Sequence, residues 1–399
     1  MIYLTLLMDD MNEPEAGPIK KNSILWQLAG IFLIIGSITF GGPMALIAIM
    51  EQEFVSKRKW LTHEHFMDLM AATNLVPGPN ACEMSGLIGY QRAKWSGLVV
   101  AELAFIIPSV VISSLLAVLY VRFGSLPQVS AIFYGINPVI VALILFAIWR
   151  LGKRTLASYV PVVIFGLAIL AVILGVNEVL IIFGAGFLGM LLTGLPKLKV
   201  KPFGLISFIP ILNLGLSGRL SSASSDNILL KLFLLFLKTG SLIFGTGLVL
   251  FAFIQSDIVD KLGWLTQQQL IDAIAVGQMT PGPVSSSAAF IGYLIAGWPG
   301  MLVASIGIFL PSFIIVSIIG PIIPKMRESL WLQAFLKGVN AAVLALMLSV
   351  GLTIAKSAIV DPWTLLILIA SGLLLLLLKV DSFWLVLGGA VIGLLRFLL

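Results

Sequence analysis

The sequence predicts an all-α polytopic membrane protein made of two inverted repeats. Each repeat has about five transmembrane helices plus a re-entrant helix pair broken at Pro-Gly-Pro. Three observations carry that prediction. The 399-residue chain is 59% hydrophobic and only 11% charged, with a mean hydropathy of +1.11, whereas a soluble domain carries about 25% charged residues. One phrase occurs twice at unchanged internal spacing. It runs from Trp60-Leu61-Thr62 to Pro77-Gly78-Pro79 in the first half and from Trp264-Leu265-Thr266 to Pro281-Gly282-Pro283 in the second. Finally, each copy holds an odd number of spans, so consecutive copies enter the bilayer from opposite sides.

The match extends past the phrase. Phe40-Gly41 pairs with Phe244-Gly245, and Asp68 with Asp272. After a single-residue slip, Gly89-Tyr90 pairs with Gly292-Tyr293, Trp95 with Trp298, and Pro108-Ser109 with Pro311-Ser312. Gly135 and Asn137 pair with Gly338 and Asn340. Matched Gly, Pro and Trp positions on this scale are a duplication, and a duplicated apolar chain reads as a transporter. The boundaries are a polar tail over 1–23, a first transmembrane repeat over 24–196, a linker over 197–226 and a second repeat over 227–399.

Composition also narrows the function. One cysteine, Cys82, excludes an internal disulfide and a cysteine metal cluster. The net charge of +6 reads as basic cytoplasmic loops rather than a nucleic-acid surface. The opening residues 1–8 are too short, lack a basic start and precede acids, so they do not read as a signal peptide. No G-x-x-x-x-G-K-[ST] motif is present, so ATP is not the direct energy source. No cofactor or metal site is expected, and the protein is not read as an enzyme.

In chain order, the tail sets Asp9, Asp10, Glu13 and Glu15 against Lys20 and Lys21. Residues 24–50 are uncharged, long enough to span, and interrupted by Gly41-Gly42-Pro43. A charged loop ends in Lys57-Arg58-Lys59. Residues 62–74 mix apolar positions with His63, Glu64, His65 and Asp68, an amphipathic segment started by Thr62. Pro77 and Pro79 break the helix there by removing donors and biasing the preceding residues away from helical geometry. Residues 80–90 are too short to cross alone, since a span needs about 20 residues. Further spans follow at 95–120, 129–149, 159–176 and 179–195. The second copy repeats the plan: 227–255, a broken pair at Pro281-Gly282-Pro283, then 298–324, 330–355, 363–378 and 383 to the end.

Basic residues test the orientation. With Lys57-Arg58-Lys59 cytoplasmic, alternation puts Arg92, Lys94, Arg150, Lys153, Arg154, Lys197, Lys199, Lys201, Lys325, Arg327 and Lys379 on the same side. Lys20, Lys21, Arg122, Lys261, Lys356 and Arg396 fall on the other. The bias follows the positive-inside rule and places both termini outside. The protein is expected in the cell membrane as a multi-pass chain. Its Gly-rich faces suit a homodimer and internal packing alike.

Phe40-Gly41-Gly42-Pro43, the Trp60-Leu61-Thr62 stretch, the run from Asn74 to Asn80 (NLVPGPN) and the second-half FGTG and QMTPGP versions resemble the chromate ion transporter superfamily in its long, two-domain form. The likeness covers nearly the whole chain from about Ile24. It implies antiparallel halves and transport of chromate, usually outward, with sulfate as the natural look-alike.

Such an oxyanion is a tetrahedral dianion, costly to bring into hydrocarbon unless donors replace its water. Helix N-termini supply donors through free N–H groups and the helix dipole. The binding candidates at the two breaks are Asn74, Pro77, Gly78, Pro79 and Asn80, then Gln278, Pro281, Gly282, Pro283, Ser285 and Ser286. Gly41, Gly42 and Gly245 permit close backbone approach, to an ion or to a neighbouring helix. Lys238, inside a span, is a candidate to neutralise the anion; Lys337, near a span end, reads as snorkelling. Glu83 and Glu102 are candidates to carry a coupling proton, because burial favours the neutral carboxyl; a counter-anion is the other coupling partner. A hydrogen-bonded structural acid is the plainer reading of both. Asp68 and Asp272 are read as structural ties. His63-Glu64-His65 reads as a solvated face, since the two histidines point apart on a helix. Beside the chromate reading stand a transporter of the same fold for sulfate or another anion, and a channel-like anion or proton pathway. A membrane enzyme using His63, Glu64 and His65 is disfavoured by their position next to a loop.

Overall fold

The computed structural model describes residues 21–40, 42–74, 76–194, 227–244, 247–319 and 329–398. Among them every regular element is helical. The first copy contributes α1 (Lys21–Ile38), α2 (Gly42–Glu51), α3 (His63–Thr73), α4 (Asn80–Phe123), α5 (Pro127–Thr155), α6 (Tyr159–Ile173) and α7 (Glu178–Gly194). The second contributes α8 (Ile228–Leu242), α9 (Leu250–Ile254), α10 (Gln267–Met279), α11 (Ser287–Ile319), α12 (Leu330–Ala358), α13 (Pro362–Leu373) and α14 (Ser382–Leu398). Residues 1–20 of the polar tail, the whole linker over 197–226, Gly41 and Gly245 lie outside the described residues.

The two copies are built alike down to single hydrogen bonds. After α2 and α9 the chain widens into a π turn, over Gln52–Lys57 and Gln255–Lys261. The tryptophan of the repeated phrase then closes the loop, Trp60 N–H on Phe54 O and Trp264 N–H on Ile258 O. Thr62 accepts the His65 N–H to start α3, and Thr266 with Gln269 makes a full capping box at α10.

The expected segments 80–90 and 95–120 are the two arms of α4. They meet at Ala93 (φ −141°, ψ 25°) and Lys94 (φ 54°, ψ −140°). α11 bends the same way at Ala296 (φ −144°, ψ 27°) and Gly297 (φ 59°, ψ −148°). The arms fold together because Gly89 faces Gly97 and Gly292 faces Gly300; a Cβ on any of these would strike the opposite carbonyl oxygen. Tyr90 packs edge-on against Trp95, and Tyr293 against Trp298, with ring centroids 5.4 Å apart in each pair.

The Arg92 guanidinium, at the end of the first arm of α4, lies 4.6 Å from the Trp60 ring centroid, just ahead of α3. α3 and that arm therefore begin and finish at the same end of the bundle. Residues 24–50 also turn back. Phe54 lies 5.2 Å from Phe32, ring to ring, where a straight helix would hold them about 30 Å apart. Helical geometry stops after Ile38 and restarts at Gly42, with Pro43 in the first turn, where a missing N–H costs nothing.

The first arm of α11 runs beside the second arm of α4 in the same direction. Gly282 lies against Ser109, Ser286 against Ser113, and Phe290 against Tyr120. The bend of α11 is thus at the opposite end of the bundle from the bend of α4. Two further pairs cross between copies: α5 packs on α14, where Gly135 meets Gly389 and Gly393, and α12 on α7, where Gly338 meets Ala185 and Gly189. Backbones approach this closely only where side chains are absent.

The surface carries the mark of a bilayer. Trp95, Val99, Leu103, Ile107, Val111, Leu115 and Leu119 form an exposed stripe along one face of α4 at every fourth residue. α4, α5, α12 and the stretch Val284–Ile318 are long and apolar enough to cross a membrane; α6, α7 and α14 are apolar but shorter.

Two outcomes are expected. Gly135→Leu should destabilise the protein by about 1–3 kcal/mol through overpacking. Gly166→Leu, where nothing lies within 4 Å of the new Cβ, should not; melting in detergent followed by intrinsic fluorescence compares them. Lys94→Gly should stabilise by about 1 kcal/mol, because a non-glycine residue here sits in backbone space favouring glycine. A lower melting temperature for that variant would mean the Lys94 ammonium over Tyr90, 5.4 Å from the ring centroid, outweighs the strain.

Candidate functional site

The site grows out of the two Pro-Gly-Pro turns. A broken helix leaves backbone groups without intrahelical partners, and each turn finds one in the other copy. Gly78 N–H donates to Ile243 O at 2.6 Å, and Gly282 N–H donates to Thr39 O at 3.1 Å. Both acceptors lie just past the last turn of a helix, α8 and α1. Gly78 (φ 150°) and Gly282 (φ 88°) have backbone angles that favour glycine. A Cβ on Gly78 would enter the Glu83 carboxylate, and one on Gly282 would press on Ser109 and Gly36 O at 3.1–3.2 Å.

Around the second turn the chemistry is hydroxylic. Ser113 of α4 donates to Ser286 at 3.1 Å, and Thr280 Oγ1 lies 3.4 Å from Ser286 Oγ. Ser287 donates back to Val284 O at 2.9 Å. Ser285 is fully buried and its hydroxyl has no hydrogen-bond partner. In the 3-10 turn Val284–Ser286 that precedes α11, the Ser286 N–H bonds back to Pro283 O and the Ser287 N–H to Ser285 O and Val284 O.

The first turn is acidic. Asn80 Nδ2 bridges the break to Asn74 Oδ1 at 2.9 Å, while Asn80 Oδ1 is buried and unpartnered. Glu83 and Glu102 are fully buried, and none of their carboxylate oxygens makes a hydrogen bond. Glu102 lies against Gly86, one turn on from Glu83. Ser312 of α11 faces Glu102. Cys82 is packed beside this pair, fully buried.

The structure thus gathers Asn80, Pro77, Gly78, Pro79, Pro281, Gly282, Pro283, Ser285 and Ser286 at the breaks. Asn74 stands at the exposed edge and half-buried Gln278 near the end of α10. Gly42 opens α2; Gly41 and Gly245 lie outside the described residues. Lys238 is engaged elsewhere, its ammonium 2.6 Å from Asp257. Asp257 also bonds Lys261 at 2.9 Å, and Lys261 reaches Glu178 at 3.6 Å. Lys337 is exposed on α12. Asp272 accepts from Tyr120 at 2.7 Å and from Gln268 at 2.8 Å, a tie between the copies, whereas Asp68 is exposed. His63 meets Glu51 at 2.9 Å on the surface. Sequence reasoning passed over Ser109, Ser113, Ser312 and Asp257. The Pro-Ser pair that recurs at 108–109 and 311–312 was the available signal for two of them.

Residues 26–190 and 230–394 each match the family model described as Chromate transporter. The chain is 32% identical to a chromate transport protein of Cupriavidus metallidurans, over 94% of this chain and 93% of that protein. It is 31% identical to a probable chromate transport protein of Synechococcus elongatus, over 86% and 88%. An uncharacterized transporter of Methanocaldococcus jannaschii is 28% identical over 97% and 98%. No solved structure matches the chain. With both halves matched by one family model, and with an apolar helical body to carry them, the chain belongs to the chromate transporter family.

Proposed function

We propose that the protein is a secondary active transporter of chromate in the cell membrane, with sulfate as competing or counter anion, working by alternating access at the facing breaks. One observation carries the reading: the reciprocal bonds of Gly78 to Ile243 O and of Gly282 to Thr39 O, by which each turn is seated on a helix end of the other copy. Substrate sites at discontinuous helices between repeats are a recurrent transporter design. The opposed bends of α4 and α11 support inverted repeats. The shared end of α3 and the first arm of α4 supports a re-entrant pair.

The chemistry suits a tetrahedral dianion. Ser285, Ser286, Thr280 and Ser113 provide hydroxyls, and the start of α11 provides a favourable dipole. These donors replace water without a fixed cation, so the ion is not trapped by a salt bridge. Rocking one copy against the other exchanges the turn-to-helix bonds, exposing the locus to each side in turn.

Purified protein in liposomes should take up chromate saturably, with inhibition by external sulfate and stimulation by internal sulfate. Flux that rises linearly with chromate concentration would instead indicate a channel, and sulfate transport without chromate transport would reassign the substrate. Replacing Ser285 and Ser286 together by Ala should raise the half-saturation concentration about tenfold or more, the worth of one hydrogen bond to a charged group. An unchanged value would make the second break only a turn.

A further inference from the structure

The two turns are equivalent in backbone and opposite in chemistry. The counterpart of Glu83 is Ser287, which bonds its own backbone at Val284 O. The counterpart of Glu102 is Ser305, which bonds Met301 O. Where the second turn has hydroxyls, the first has two adjacent carboxyls, both fully buried. The Glu83 carboxylate lies against Gly78, at the start of α4, the place an anion would approach in the first copy.

Other buried acids in this chain are tied. Asp257 holds Lys238 and Lys261, Asp272 holds Tyr120 and Gln268, and Glu53 holds Arg58 at 2.6 Å. Glu83 and Glu102 have no such partner. The ionisable groups facing them are each other and Cys82 on the same helix. From α11 the facing side chains are Ser312 and Val316. α1 carries no ionisable residue beyond Lys21. On α2 and α3, Glu51 pairs with His63, Glu64 and Asp68 are exposed, and His65 lies in the first turn of α3, away from the break. On α10, Asp272 is held by Tyr120. Two neighbouring carboxylates buried with no cation facing them, and with a single hydroxyl, Ser312, turned toward Glu102, are not sustainable as a pair of anions.

We infer that the two turns divide the work: the hydroxyls of the second turn take the oxyanion, and Glu83 with Glu102 beside the first turn form a separate site for the coupling proton. This rests on the oxyanion-transport reading above. The proton enters from water on one side, resides on a carboxyl oxygen of the pair, and leaves to water on the other. Glu102 and Ser113 lie eleven residues apart on the second arm of α4, about 16 Å, so the proton acts on the oxyanion through the field across the low-dielectric interior, and loading of one site favours loading of the other.

The test uses full-length protein in liposomes containing a pH-sensitive dye, with chromate as substrate. For wild type, a gradient of one pH unit should change chromate accumulation about tenfold per proton moved, with a matching dye signal. Glu83→Gln and Glu102→Gln should each lose the dye signal, and their remaining downhill flux should no longer change with the gradient. Glu83→Asp and Glu102→Asp, which keep a titratable group, should retain the gradient response and so separate loss of coupling from misfolding. Gradient-driven accumulation that persists in both Gln variants, or a Na⁺ gradient that drives wild type in place of protons, overturns the inference. If wild type moves no oxyanion, the transport reading fails by itself. Infrared spectra of the solubilised protein then decide the site: a protonated-carboxyl band at neutral pH that disappears in Glu83→Gln or Glu102→Gln sustains it, and absence of the band overturns it.

Discussion

Two backbone hydrogen bonds at the crossing of the copies set the terms for the rest of the structure. A helix that stops inside a bilayer strands polar groups where no water can reach them. Here the stranded N–H of one copy is met by the stranded carbonyl of the other, at Gly78 with Ile243 and at Gly282 with Thr39. The arrangement permits irregular backbone in a buried interior, and it requires both copies at once. It also explains why the turns contain glycine between prolines. The prolines end the helices, and the glycines let the chain come close enough to donate.

On this symmetric frame the side chains have diverged. Lys94 stands where the second copy has Gly297, in a conformation that favours glycine. Lys238 has Ile34 as its counterpart and answers a buried Asp257, whereas the corresponding Glu53 is answered by Arg58 from its own loop. Asp272 is bound into the contact between copies while Asp68 faces outward. Such differences let a duplicated unit bias one conformation over its mirror, since a perfectly symmetric pair would favour neither.

Much of this was legible in the sequence because the frame is made of Gly, Pro and Trp, residues whose backbone and packing demands show at fixed spacing. The phrase ending in Pro-Gly-Pro gave the duplication, the breaks and most of the binding candidates. The fold-back of 24–50 was not legible, because Gly41-Gly42-Pro43 is equally compatible with a kinked rod; only the contact of Phe54 with Phe32 distinguishes them. The role of Lys238 was hidden for a similar reason. A lysine inside an apolar run suggests a ligand until its partner, Asp257, is seen to come from beyond the next break. Ser109 and Ser312 showed in the sequence only as half of a recurring Pro-Ser pair, which marks the duplication and not a role, and Ser113 carries no repeat signal of its own.

The glycine seams between α5 and α14 and between α7 and α12 have a consequence for how the chain is made. α5 and α7 emerge from the ribosome before the surfaces they fit, which belong to α14 and to α12. During synthesis the first copy therefore waits in the membrane with its seams open. Lipid fills them only provisionally, since a groove without side chains offers little for an acyl chain to grip. The seams of the first copy are thus completed only by helices of the second.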